Sequence, residues 1–281
     1  MSGIAPSAVS VVISTYEWPD ALDAVLRALA DQSERGFGVV VADDGSGPDT
    51  EAVVGRWRPR LGERLRFVSQ PDEGYRLARI RNLGARAARG DFLVFIDGDT
   101  VPRRHFVRAL ARSARPGWFV AGKRVSLARE LSERVLAEGL PVHRWSLARW
   151  ALLERTRAEP LLALTARDRR RPGRSGLPEF VPHAQGYGFL LAVARDDFVR
   201  ANGFDARYRG WGGEDVDLAV RLRRLGLRCC WPGPHGTLLH LWHPSRKHGP
   251  RPNTALLRET EVSGRIEAVE GLREVGAQVS A

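Results

Sequence analysis

A chain of 281 residues with 43% hydrophobic and 27% charged side chains can bury a sizeable core, which excludes disorder along its whole length and suits one large domain or one domain with a lobed extension. Its formal charge of +11, from 44 Lys and Arg against 33 Asp and Glu, fits anionic partners (nucleic acid, lipid headgroups, phosphorylated substrates) or a plain bias towards Arg, Ala and Gly. Two adjacent cysteines, Cys229 and Cys230, make no disulfide framework, and no apolar run is long enough to cross a bilayer, so the expectation is a cytoplasmic protein, at most peripheral at a membrane.

Residues 9–99 alternate strand and helix signals. A β-branched run over 9–14, ending in a turn, predicts a buried strand. Ala21, Leu22, Val25, Leu26 and Leu29 recur at helical spacing and predict a helix over 20–30 with Asp20 as N-cap. A second buried strand over 37–42 is halted by Asp43-Asp44-Gly45-Ser46-Gly47-Pro48. There follow a helix over 49–58, a short strand over 65–69, a helix over 75–89 stopped at Gly90, and a strand over 92–96. This order predicts an α/β fold, a mostly parallel sheet with helices on both faces, whose ligands sit beyond the carboxyl ends of the strands. Three polar turns, Thr15-Tyr16-Glu17, Asp43-Asp44-Gly45 and Asp97-Gly98-Asp99, follow three of those strands and project to one edge.

Residues 133–157 suit two helices interrupted near Gly139 and Pro141, and the basic, Pro- and Gly-broken stretch 166–176 reads as a loop. Beyond it the pattern predicts a strand over 188–193, a Gly-rich turn over 210–213, a helix over 215–225 stopped at Gly226, and a last strand over 237–242. The tail carries a weak helical pattern near 265–275.

Asp97 and Asp99 flank a glycine directly after an apolar strand. Two close carboxylates repel unless a cation neutralises them, and Mg²⁺ or Mn²⁺ accepts carboxylate together with phosphate oxygens. The bland alternative is an acidic turn that merely ends the strand. Asp44 can hold a ribose or base, or form an ordinary Asx turn. Arg79 and Arg81, on the helix before the Asp97 strand, can face phosphate but read individually as solvated helix charges. In Trp211-Gly212-Gly213-Glu214-Asp215, the two acids suit a helix start, and either can also serve as a general base beside a Trp that stacks on a sugar ring. His240 and His243 can complete a metal site; three residues apart on a strand they point to opposite faces, which predicts one ligand rather than two. No P-loop, GxGxxG, HExxH, paired CxxC or GxSxG motif is present.

The order of these motifs resembles a known family. The block from Val9 through Pro102 looks like the inverting family-2 glycosyltransferases with the GT-A fold, and the block from Gly186 to Gly226 resembles the acceptor half of β1,4-galactosyltransferases and chondroitin-polymerase-type transferases. The resemblance implies a nucleotide-sugar half over 1–122, an acceptor and catalytic-base half over 123–250 and a helical tail over 251–281. It implies donor contacts from Thr15, Tyr16, Glu17, Asp44, Arg79, Asn82, Asp97 and Gly98, and a metal held by Asp99 with His240 or His243. Trp211, Gly213 and Glu214 would meet the acceptor, with Asp215 as the base. The implied partners are a nucleotide-sugar, UDP-linked in most relatives, and a glycan, lipid-linked or small-molecule acceptor, with Mn²⁺ or Mg²⁺ and no nucleic acid. An inactive nucleotide-sugar-binding protein and a basic nucleic-acid-binding module are the alternatives. Asp99, Asp215 and a late His argue against the first, and the scatter of Arg across helices against the second.

Overall fold

The computed structural model describes residues 3–146, 148–150, 190–244 and 253–275. The basic stretch 166–176, the expected helical pair beyond Trp150 and the first residues of the 188–193 strand lie outside them.

Strands β1 (Val9–Thr15), β2 (Gly38–Asp43), β3 (Leu65–Ser69) and β4 (Phe92–Asp97) lie parallel, with β1 between β2 and β4. Every residue of β1 is buried, as parallel strands covered on both faces require. Alternation splits its side chains between two cores. Val9, Val11 and Ile13 join α1 (Pro19–Ala30) and α2 (Pro48–Leu61), while Val12 joins Ala78, Ile80 and Leu83 of α3 (Leu77–Ala87). Each such buried side chain contributes roughly 1.5–3 kcal/mol.

The chain then makes a short strand, β5 (Thr100–Pro102), and α4 (Phe106–Ser113), β6 (Trp118–Ala121), β7 (Arg124–Ser126) and α5 (Arg129–Glu138). After the region not described come β8 (Leu190–Ala194), α6 (Arg195–Arg200), α7 (Glu214–Arg224), β9 (Arg228–Cys230), β10 (Leu238–His240) and α8 (Thr254–Ser263). Strand β8 runs antiparallel between β4 and β6, so both sequence halves share one sheet of order β3-β2-β1-β4-β8-β6-β9. A second sheet, β5-β10-β7, pairs His240 with Thr100 and Leu238 with Pro102.

Two expectations need correction. Helix α1 starts at Pro19 after Trp18, so Asp20 lies in its first turn rather than at its cap. The tail helix forms over α8, not near 265–275. There the backbone bonds outward: Ala268 and Leu272 N–H donate to the carbonyls of Ala201 and Asn202, and the Glu270 carbonyl accepts from Ala206. These bonds to another segment replace the i to i+4 bonds of a helix.

Candidate active site

The carboxyl ends of β1, β2 and β4 form the edge from which the site is built. The Asp44 N–H donates to the Thr15 carbonyl at 2.9 Å, tying the first two turns together. Asp43 points into the fold, accepting from Ser46 N–H (3.0 Å) and Ser69 Oγ (2.9 Å). Asp44 is held by Arg76 N–H at 2.9 Å and by the Gln70 amide, whose carbonyl oxygen accepts from Arg79 Nη1 at 2.6 Å. Burial raises the Asp44 carboxyl above its ordinary range, opposed by these hydrogen bonds. Tyr16 is exposed and donates to Asp72, and Glu17 accepts from Gly47 N–H at 2.6 Å. Glu17 has φ 48°, one of two non-glycine residues in the left-handed region among those described; such strain gathers at functional sites. Asn82 stands apart. Fully buried, it donates to the Phe204 carbonyl (2.8 Å) and accepts from Phe204 N–H (2.9 Å), so it clamps the fold and has no surface to offer a donor.

Gly98 is required by close approach rather than by a sharp turn. Its N–H donates to the Ser14 carbonyl at 2.7 Å, and a Cβ there would lie 2.8 Å from that oxygen. The tie holds Asp97 and Asp99 on either side of the β1 end.

Asp99, His240 and His243 converge, their candidate ligand atoms within 4.8 Å of one another. Nε2 of His240 lies 3.4 Å and Nε2 of His243 3.6 Å from Asp99 Oδ2. Both histidines therefore face Asp99, against the expectation that strand alternation would separate them. Strand β10 ends at His240, so the pleat does not govern His243. Nδ1 of His243 faces the Pro244 carbonyl at 3.1 Å, an acceptor, so Nδ1 is the donor there and Nε2 is the nitrogen turned towards Asp99. Asp99 Oδ1 is buried without a hydrogen-bond partner. An orphaned carboxylate oxygen beside two imidazole nitrogens fits a divalent cation.

Arg81 is buried, not a solvated helix charge. Nη2 donates to Asp97 Oδ1 (2.8 Å), Nη1 to Glu214 Oε1 (3.1 Å) and Nε to Ser14 Oγ (3.2 Å). It bridges the metal side to the start of α7. Burial, then the charge of Asp99, pushes Asp97 up to about 6 against the pull of Arg81 and Arg124. Burial, then the charge of Asp215, pushes Glu214 up to about 7 against Arg81. Asp215, also buried, is raised by desolvation, while Arg81 and backbone N–H groups at the helix start favour its charged form.

Before α7, Gly213 has φ 102°, and a Cβ on it would lie 2.9 Å from the Tyr208 ring, so glycine is needed there. Trp211 on the same loop is 44% exposed. The loop is anchored where Gly210 N–H donates to the Tyr75 carbonyl (2.9 Å) and Asn253 Nδ2 to the Gly212 carbonyl (2.8 Å). Sequence reasoning missed Tyr75. The residue is 39% exposed, but its hydroxyl end lies near Glu214, Asp97, Arg81 and Asp44, and desolvation there followed by the Glu214 and Asp97 carboxylates raises it above the ordinary phenol range. Only a tyrosine just ahead of α3 could have signalled it.

Residues 10–170 match the model of Glycosyl transferase family 2, and residues 177–244 match that of the N-terminal domain of galactosyltransferase. Validoxylamine A glucosyltransferase of Streptomyces hygroscopicus subsp. jinggangensis (strain 5008) is 33% identical over 239 residues, 78% of this chain and 52% of that protein. Chondroitin synthase of Pasteurella multocida (strain Pm70) is 26% identical over 238 residues, 76% of this chain and 23% of that protein. The chain thus spans about half, or less, of the length of these curated relatives. The mannosyltransferase PcManGT from Pyrobaculum calidifontis, solved with GDP-Man and Mn²⁺, superposes with a TM-score of 0.55 at 19% identity, over 94% of this chain and 73% of that one. That likeness bears on the fold, a mixed α/β GT-A architecture with a mostly parallel sheet.

Proposed function

This chain belongs to glycosyl transferase family 2, and we propose that it transfers a sugar from a nucleotide-sugar, UDP-linked, to an acceptor hydroxyl with inversion at the anomeric carbon. The observation that carries the reading is the convergence of Asp99, His240 and His243 at the strand edge, joined through Asp97 and Arg81 to the Glu214–Asp215 pair.

Asp99, His240 and His243 would hold Mn²⁺ or Mg²⁺, which when bound neutralises charge on the leaving nucleotide diphosphate. Two imidazole nitrogens favour Mn²⁺, since Mg²⁺ prefers oxygen ligands throughout. Thr15, Tyr16, Glu17 and Asp44 line the donor edge, with Arg79 behind Asp44 through Gln70. Asp215 takes the proton from the acceptor hydroxyl as that oxygen attacks the anomeric carbon opposite the diphosphate, so one displacement inverts the centre. Glu214, paired with Arg81, and Trp211, over the sugars, position the acceptor. The relatives' names supply a small-molecule acceptor in one case and a glycan in the other, and a glycan, a lipid-linked sugar or a small molecule all suit an open edge of this kind. No helix among the described residues is long and apolar enough to cross a membrane.

The test is a thermal-shift panel of UDP, GDP, dTDP and their sugars with and without Mn²⁺, then transfer assays with product stereochemistry read by NMR. Asp215→Asn should lower kcat by roughly 10²–10⁴-fold while sparing the metal-dependent nucleotide shift. Unchanged transfer in Asp215→Asn, or no nucleotide shift with metal, would sink the assignment.

A further inference from the structure

A cavity of about 290 Å³ lies at the far end of the β5–β10 ladder from Asp99 and His240. That is close to the lower size limit of small-molecule sites, about 300 Å³. Its lining includes Arg103, Arg104, His105, His143, Arg144 and His235. At the strand rise of about 3.3 Å per residue, Arg103 is roughly 10 Å along the chain from Thr100, so the two sites occupy opposite ends of one small sheet.

The groups in this cavity are poorly satisfied by the protein itself. Arg103 is 3% exposed, yet its guanidinium donates only Nη2, to the Trp145 carbonyl at 3.2 Å; Nε and Nη1 are buried with no partner. Burial alone lowers Arg103 to about 10, with no carboxylate offsetting it. His105 Nδ1 is also buried and unpartnered, and the His105 ring meets that of His235 edge-on, centroids 5.3 Å apart. The nearby carboxylates are already engaged. Asp31 accepts from His143 Nε2 (3.0 Å), Arg144 (2.6 Å) and Arg60 (2.7 Å), and Glu34 accepts from Arg108. A buried guanidinium with unused N–H groups, beside two histidines that can both donate once protonated, is a donor set awaiting acceptors.

We propose that this cavity is a second ligand site, independent of sugar transfer, which binds a small phosphate oxyanion (inorganic phosphate or the phosphate of a sugar phosphate) through Arg103, His105 and His235. Arg103 supplies the fixed charge and the two histidines supply a proton-dependent part. Both histidines are held below their usual range, by partial desolvation first, then at His105 by Arg108, Arg104 and Arg103 against Glu34, and at His235 by Arg103, His105 and Arg108. An anion among them reverses that balance, so binding of an anion of fixed charge takes up protons and tightens as the pH falls.

The experiment is calorimetric titration of the EDTA-treated full chain with inorganic phosphate and, in parallel, with glucose 1-phosphate and with sulfate, whose charge is constant, at about pH 6 and pH 8, the range over which histidine titrates. Saturable binding of the phosphates is expected, with sulfate bound more tightly at the lower pH because the phosphates gain a proton of their own over that range. His235→Ala, a change at an exposed rim residue, should weaken it by roughly tenfold, the loss of one charge-assisted hydrogen bond. Arg103→Met should abolish it; since that buried change can unfold the chain, His105→Asn gives a second measure. Asp99→Asn should leave the affinity unchanged. Tighter binding of glucose 1-phosphate identifies a sugar phosphate as the ligand, and equal binding identifies the phosphate group alone. Absence of saturable binding, full affinity in His235→Ala and His105→Asn, or loss of binding in Asp99→Asn would overturn the proposal.

Discussion

Arg81 pairs with two carboxylates at once while fully buried, and its own charge survives because Asp97 and Glu214 outweigh the cost of burial. Arg81→Met leaves both acids facing a buried gap, and removing one partner of a buried pair costs about 3–5 kcal/mol. Urea unfolding of Arg81→Met should show a loss of that size; a loss near that of a surface ion pair would mean that the acids find other partners. The same cluster predicts a pH dependence. Glu214 shifts from an ordinary 4.5 to about 7, and Asp97 from 3.8 to about 6, both raised chiefly by burial. Between those limits the folded state keeps protons that the unfolded chain releases, so metal-free stability falls as pH rises from about 4.5 to 7. Glu214→Gln should make that fall shallower in urea midpoints taken across the range, and an unchanged slope would remove Glu214 as its source. A sequence cannot reveal such a residue as Arg81. Its spacing on α3 resembles that of any helix arginine, and only β4 and α7 arriving from both sides make it a bridge.

At the scale of elements, the metal cluster depends on three-residue strands. Strand β10 is held by pairing with β5 and β7 and by Leu238 and Leu239 in the core, and its register sets His240 opposite Thr100, one residue after Asp99. His243 lies on the irregular segment after the strand, braced by the Trp18 ring at 5.8 Å and by the Pro244 carbonyl. Removing either imidazole should weaken Mn²⁺ binding by at least the roughly 10–100-fold seen when a supporting partner is lost. The metal-dependent nucleotide shift should thus decline in His240→Ala and in His243→Ala and vanish in the double variant. A full shift in His243→Ala alone would leave His240 as the sole imidazole ligand. These elements also mark where sequence reading stops. Strands β1 to β4 are legible because each is an apolar run bounded by turn residues, and Asp44, Asp97, Asp99, Glu214 and Asp215 are legible because they close or open such elements. Strands β5, β7 and β9 are too short to have a period, and only their partners define them. The helix expected near 265–275 fails for the converse reason, since its backbone bonds are taken by residues 201–206.

Across the whole molecule, the excess of arginine has a structural use that net charge does not express. Arg195, at the end of β8, donates to the carbonyls of Ala85, Ala88 and Gly90 at 2.6–3.1 Å and closes the turn between α3 and β4. Arg221 reaches the carbonyls of Ala201 and Gly203 as well as Asp217, and Arg224 those of Thr260, Glu261 and Arg265. In each case one planar guanidinium satisfies several carbonyls from a segment distant in sequence, which a lysine ammonium cannot reproduce in the same geometry. The antiparallel insertion of β8 between β4 and β6 makes Arg195 the severest instance, because it joins the sequence halves where they enter the shared sheet. Arg195→Lys should therefore cost about 1–3 kcal/mol, the price of leaving buried acceptors unpaired. Arg134→Lys, on the exposed face of α5 and paired with Glu138, should cost under about 1 kcal/mol. Urea midpoints of the two variants, measured side by side at constant ionic strength, decide it. Equal small losses would return the arginines to the role of a basic surface, whereas a loss confined to Arg195→Lys makes them the ties that hold two sequence halves to one sheet.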